Sequence, residues 1–327
     1  MGTRRPPPLT PPATPARDPR PRPAARARAA GGWQDARVSL EEPRTATLDD
    51  ATEAAEREFA RGWGLVATDL DGTVIPRERP VSARTLAAFA ACERAGIPVV
   101  PVTGRPPRWV TPLAEEAGLR GQVVCANGAV VFDLDAGEVV RQHAIPVEVL
   151  REVAARLRPA MPGIGFALEA VVGFRREAAY ATRFDGGLEQ RVAPFEELLL
   201  DAPPVVKVLA KCPGTLSDEM VAIAAREMGD LVNVTHSNAA DSLIEIMAAG
   251  VSKASTLAEV AGDRGVGAAG VVAFGDMPND LEMLRWAGRS YAMADGHPAA
   301  REAADAVAPD CGDDGVAQVL ERLLSRR

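Results

Sequence analysis

The segment GLVATDLDGTVIP, residues 64–76, sets two carboxylates two positions apart at the end of an apolar run. In extended chain, positions i and i+2 face the same way, so Asp69 and Asp71 turn towards one crevice. Such a pair suits nucleophilic attack by one acid and proton transfer by the other. Burying them beside Leu65, Val66 and Ile75 is costly unless another charge compensates. Three further signatures offer partners: Thr103-Gly104-Arg105, Lys253, and Gly275-Asp276-Met277-Pro278-Asn279-Asp280. Lys253 is informative because only three lysines (Lys207, Lys211 and Lys253) stand among 37 basic residues.

The elements around these residues alternate. Leu65–Leu70 reads as a strand, Ser82–Ala95 as a helix capped by Ser82, and Ile97–Val102 as a second strand. A helix over Arg108–Ala117 follows, then a third strand, Gln122–Cys125, with a hairpin partner at Ala129–Asp133. This order implies a parallel sheet with helices on both faces. From Pro146 to Met247 the pattern changes to paired strands with two long helices, an α+β unit with an antiparallel sheet. After Gly250 the α/β rhythm returns, with helix Lys253–Ala261, strand Gly270–Phe274, helix Asp280–Ala287, strand Tyr291–Met293 and a final helix from Gly315 to Leu324. The expected fold class is α/β, a doubly wound Rossmann-like core with an inserted α+β cap. In such a sheet ligands bind at the carboxyl ends of the strands, where Asp69, Thr103 and Asp276 fall.

Composition narrows the function classes. At 47% hydrophobic residues, the 327-residue chain can fill a sizeable core, and no run approaches the length of a membrane span. A net charge of −8 argues against nucleic acid as partner. Cys92, Cys125, Cys212 and Cys311 are far apart, which suits buried thiols in a reducing cytoplasm. Residues 1–30 carry nine prolines, seven arginines and one acid, Asp18, and are expected to be disordered. Prolines follow Arg4-Arg5 where an export signal would be apolar. Residues 48–60 are expected to form a short, mostly solvated helix. The domain plan is a disordered extension over 1–60, a core over 61–145 and 248–327, and the insert over 146–247.

Together, in this order and at these strand ends, the four signatures resemble the haloacid dehalogenase superfamily of phosphatases. The position of the insert, between Thr103 and Lys253, resembles its Cof-type, class IIB members. Asn127-Gly128-Ala129, Leu243-Ile244-Glu245-Ile246 and Asp314-Gly315-Val316-Ala317 agree with that likeness. Ala292-Met293-Ala294-Asp295-Gly296 departs from it, since the family more often has a Gly-Asn pair there.

The resemblance implies a magnesium-dependent phosphatase acting on a small phosphorylated metabolite through an aspartyl-phosphate. Asp69 would be the nucleophile, and Asp71 would protonate the leaving alkoxide and then deprotonate the attacking water. Mg2+ would take the Asp69 carboxylate, the Asp71 carbonyl and the Asp276 carboxylate, with Asp280 supporting that shell. Thr103, Gly104, Lys253 and Asn279 would bind the phosphoryl group. The insert would select the leaving group, with loops 184–187 and 235–241 as candidate selectors. A phosphomutase of the same fold is the main alternative, and a non-catalytic phospho-ligand sensor a further one. Arg105 is left open between substrate contact and solvent. Lys207 is expected as a structural or rim residue, and His143, His236 and His297, which show no ligand spacing, as structural.

Overall fold

The computed structural model describes residues 50–76, 80–182, 190–239 and 241–327. A five-stranded parallel sheet runs in the order Ala306–Ala308, Arg289–Met293, Val271–Gly275, Leu65–Thr68, Val99–Pro101. Helices cover both faces, so its central strands are buried along their length and mostly apolar. Along Leu65–Thr68 the two-residue period sends Val66 into one cluster with Phe89, Val316 and Leu320. Leu65 and Ala67 enter another with Leu257, Val260 and Met283. The helices behind the first cluster are Ala83–Arg94 and Gly315–Ser325, and behind the second Lys253–Gly262 and Leu281–Trp286. Ser82 caps its helix by accepting the Thr85 N–H at 3.0 Å.

Six strands make the second sheet, in the order Val232–Thr235, Leu243–Ala248, Val205–Lys211, Gly165–Ala170, Phe174–Arg176, Gln190–Val192. All its pairings are antiparallel except the last. Val208, Ala210, Ile244 and Ile246 pack on Leu150, Leu157, Met220 and Ala224 of helices Val147–Ala160 and Ser217–Met228. The alternate residues Lys207, Leu209, Leu243 and Glu245 therefore share the opposite face, which lines a cavity over the core. The fold is the α/β core with an inserted α+β cap that the sequence pattern implies.

The structure departs from the reading in three places. Gln122–Cys125 turns back through Ala126–Gly128 and pairs antiparallel with Val130–Asp133, which pairs with an unexpected strand, Glu138–Gln142. This hairpin sheet touches the parallel one through the Val102–Val124 bridge and the Thr103 N–H donated to the Val124 carbonyl at 2.8 Å. Four short elements, Gln190–Val192, Phe195–Leu199, Pro298–Ala303 and Ala306–Ala308, have too few residues to show a period.

The third departure concerns residues 48–60, where the expected helix forms and is mostly solvated but is tied to the core through a buried acid. Helix Asp50–Phe59 holds a fully buried Glu56. Its carboxylate accepts from Arg322 at 2.8 and 2.9 Å and from the Tyr291 hydroxyl at 2.6 Å, with Arg326 also paired. An acid in a polar helix reads as a solvated face when its partners lie 235 to 270 residues away. The disorder expected for residues 1–30 lies outside the described residues.

Candidate active site

Four loops meet at the carboxyl ends of the parallel strands. Lys253 stands in the first turn of its helix, where a cation works against the helix dipole and needs other partners. Its Nζ, shielded from solvent, donates to Asp69 Oδ1 and to Asp280 Oδ1, each at 2.7 Å. The other Asp280 oxygen accepts the N–H groups of Asp276 and Met277 at 2.9 Å. Both Asp280 oxygens are thus engaged in holding the lysine and the Asp276 turn. Asp276 accepts the Thr73 hydroxyl at 2.8 Å, and its carbonyl accepts the His297 N–H at 2.7 Å. The loop that departs from the family pattern therefore still anchors Asp276. Gly72 has φ +81°, and a Cβ there would lie 2.4 Å from Asp276 Oδ2, so only glycine fits this turn.

Three buried carboxylates surround one buried ammonium. Oxygens of Asp69, Asp276 and Asp280 lie within 4.8 Å of one another. Burial raises the Asp69 pKa, and the Asp280 and Asp71 charges add to it against the pull of Lys253. Burial, then Asp69 and Asp280, raise Asp276, against the Thr73 hydrogen bond. Burial disfavours the Lys253 ammonium, but Asp280 and Asp69 outweigh it and hold its pKa above the usual lysine range. This excess of acid, all of it hard oxygen, fits a divalent cation, for which Asp276 Oδ2 is unspent and Asp69 Oδ1, beside its bond from Lys253, keeps a further lone pair.

Asp71 lies outside this cluster. Its carboxylate is half-exposed and bidentate with Arg105, Nε to Oδ2 at 2.6 Å. Thr103 is buried, and its oxygen accepts the Arg105 N–H at 3.1 Å, leaving the hydroxyl proton to donate. A Cβ on Gly104 would come within 3.0 Å of Asn127 Oδ1, so the loop passes close over that amide. Asn127 Oδ1 accepts from Asn279 Nδ2 at 3.0 Å, while Asn279 Oδ1 is buried without a partner.

Several functional contacts escaped the sequence. Buried Lys207 donates to Glu245 at 2.5 Å and to the Gly104 carbonyl at 2.8 Å. Arg108 forms a bidentate pair with buried Glu169 of the cap at 2.6 and 2.8 Å. Asn127 sits at φ +55°, a left-handed turn that Asn tolerates. The scarcity of lysine was the one signal for Lys207, and the Leu243-Ile244-Glu245-Ile246 likeness the one for Glu245; nothing local marks Arg108 or Glu169. His236 and His297 meet on Asp218 at 2.7 and 3.5 Å. His297 Nδ1 accepts the Ala299 N–H at 3.2 Å, and ligating atoms of Asp218, His236 and His297 lie within 4.8 Å of one another, a grouping able to hold a cation that no spacing in the sequence showed. His143 lies 3.7 Å from Glu259. Lys211, half-buried, reaches the Ala181 carbonyl at 3.2 Å.

The cavity between cap and core holds about 710 Å³. Asp69, Asp71, Thr103 and Asn279 lie on its core side, with Trp109, Phe174, Tyr180 and Asp241 among its other lining residues. From the selector loops, Ser237, Asn238 and Asp241 line it, while residues 184–187 lie outside the described residues.

A parallel α/β sheet with buried acids and a lysine at its strand ends, covered by an inserted cap, defines a capped hydrolase of the doubly wound class. The family model for haloacid dehalogenase-like hydrolases matches residues 66–320, and the chain belongs to that family. It is 29% identical over 262 residues to the phosphoglycolate phosphatase of Natronomonas pharaonis, covering 80% of this chain and 98% of that one. It is 26% identical over 273 residues to the 5-amino-6-(5-phospho-D-ribitylamino)uracil phosphatase YitU of Bacillus subtilis, covering 80% and 97%. The fold matches the HAD subclass IIB sugar phosphatase BT4131 with a TM-score of 0.66 at 21% identity, covering 79% and 98%. Among the described residues, no helix is long and apolar enough to cross a membrane.

Proposed function

We propose that the chain is a magnesium-dependent phosphatase that hydrolyses a small phosphorylated metabolite through an aspartyl-phosphate on Asp69. The observation that carries this reading is Lys253, held between Asp69 and Asp280 in the carboxylate cluster beneath the cavity. Lys253 takes one Asp69 oxygen, which leaves the other to attack phosphorus. As that bond forms, the ester P–O bond breaks and Asp71, protonated once substrate draws Arg105 off its oxygens, gives that proton to the departing alkoxide. Water then attacks the phosphoryl group, Asp71 takes its proton, and the bond to Asp69 breaks to release phosphate. Thr103 Oγ1, the Gly104 N–H and Lys253 hold the phosphoryl oxygens throughout, with Asn279 beside them. Asp69, the Asp71 carbonyl and Asp276 would hold Mg2+, while Asp280 fixes Lys253 and the Asp276 turn. Bound there, the cation neutralises charge on the phosphoryl oxygens.

The substrate reading follows from the cavity. Its volume of about 710 Å³, with Trp109, Phe174 and Tyr180 on the wall, supports a leaving group larger than a two-carbon acid, such as a sugar or a ribityl heterocycle. The relatives named as phosphatases support phosphate release over transfer. The test is p-nitrophenyl phosphate hydrolysis with and without magnesium. Turnover is expected only with the metal, and Asp69→Asn should abolish it. Activity that survives Asp69→Asn refutes the covalent route.

A further inference from the structure

Lys207 and Glu245 are a buried ion pair on the cavity face of the cap sheet, 3% and 4% exposed. Such pairs cost desolvation, and apolar residues of similar volume often replace them without loss of stability. Apart from a hydrogen bond between Glu245 and Ser237 within the cap, the pair reaches to the core. The Lys207 ammonium reaches across to the Gly104 carbonyl at 2.8 Å. Glu245 accepts the Asn127 amide at 3.1 Å through its second oxygen. Asn127 then accepts the Asn279 amide at 3.0 Å, and its side-chain oxygen is also the atom that comes closest to a Cβ on Gly104. Lys207 holds Glu245 well below the usual carboxylate range after burial has pushed it up, so the acceptor stays ionised.

We infer that the Lys207–Glu245 pair is a positioning device for the phosphate cradle. The pair fixes the Gly104–Arg105 peptide from the cap side, and the N–H of that peptide donates to Thr103 Oγ1, which sets the Thr103 hydroxyl of the cradle. It also fixes the Asn127 amide, which orients Asn279. Neither residue need touch the phosphoryl group. The cradle is complete only when the cap strands Val205–Lys211 and Leu243–Ala248 are seated, so cap docking and phosphate binding become one event. This inference rests on the phosphatase reading above.

Three variants test it: Glu245→Gln, Lys207→Met, and the charge-free double variant Lys207→Met/Glu245→Leu. Each single variant should lower kcat/KM by about 10- to 100-fold, with most of the loss in kcat. The loss should be equal for p-nitrophenyl phosphate and for a bulky sugar phosphate, because the cradle serves both. The double variant should recover the melting temperature of the wild type but not its kcat. Affinity for inorganic phosphate with magnesium, measured by calorimetry, should fall in all three; this arm reads the cradle even if the wild type turns over no phosphoester. Recovery of kcat along with stability in the double variant would overturn the inference. So would a loss confined to the bulky substrate, or unchanged phosphate affinity. Absence of wild-type turnover alongside weakened phosphate binding would count against the phosphatase reading alone.

Discussion

Protons and magnesium should compete for the same oxygens. Burial, with the neighbouring acids adding to it, pushes Asp69 from an ordinary 3.8 up to about 7. The same causes push Asp276 from 3.8 up to about 9. Between about pH 4 and pH 9 the metal-free fold therefore keeps protons that the unfolded chain has released. Its stability from these groups is fully present below about pH 4 and is lost as pH rises through neutrality. At about pH 6.5 a divalent cation has to displace between one and two protons. Apparent affinity should then climb about 10- to 100-fold per pH unit there and level off above about pH 9. Calorimetry at about pH 6.5 and pH 8, in two buffers of different ionisation heat, counts the protons released. Thermal melts at the same values should show magnesium raising Tm more at the higher pH. Zero protons released at about pH 6.5, with affinity flat to within about twofold across the range, would refute the charge accounting.

Two substitutions test the scaffold. Glu56→Ala strands Arg322 and Arg326, which are 30% and 20% exposed and so partly rehydrate. Removing one partner of a fully buried pair costs about 3–5 kcal/mol, so about 2–3 is expected here, a fall in Tm of about 4–12 °C by calorimetric melting. A shift below about 2 °C would mean that the helix Asp50–Phe59 adds little. Gly72→Ala drives a methyl into Asp276 from a left-handed position and should weaken magnesium binding at least about tenfold, read by the same calorimetry.

The parts of the site that were legible share a cause. Asp69, Thr103, Lys253 and Asp276 sit beside apolar strands and caps whose period is local, so their placement at strand ends follows from a few residues on either side. The contacts that were not legible join residues distant in sequence. Glu56 meets Arg322 across 266 residues, and Asn127 meets Glu245 across 118. Apart from the family likeness of its segment, nothing in the neighbourhood of Glu245 distinguishes an acid on an inward strand face from one facing solvent until the register with Val205–Lys211 is known. The role written for Asp280 shows the same limit. The resemblance implies that Asp280 supports a metal shell, but nothing local announces how: one oxygen accepts from Lys253 and the other from the Asp276 and Met277 N–H groups.

With Lys207 and Lys253 sealed inside, reagents that acylate or alkylate amines find one lysine side chain within their reach, that of Lys211. Its ammonium stands 5.3 Å from the centre of the Tyr180 ring, and Tyr180 lines the cavity. A fluorophore or surface tether attached there stands beside a wall residue of the cavity and leaves the two inner amines unmodified.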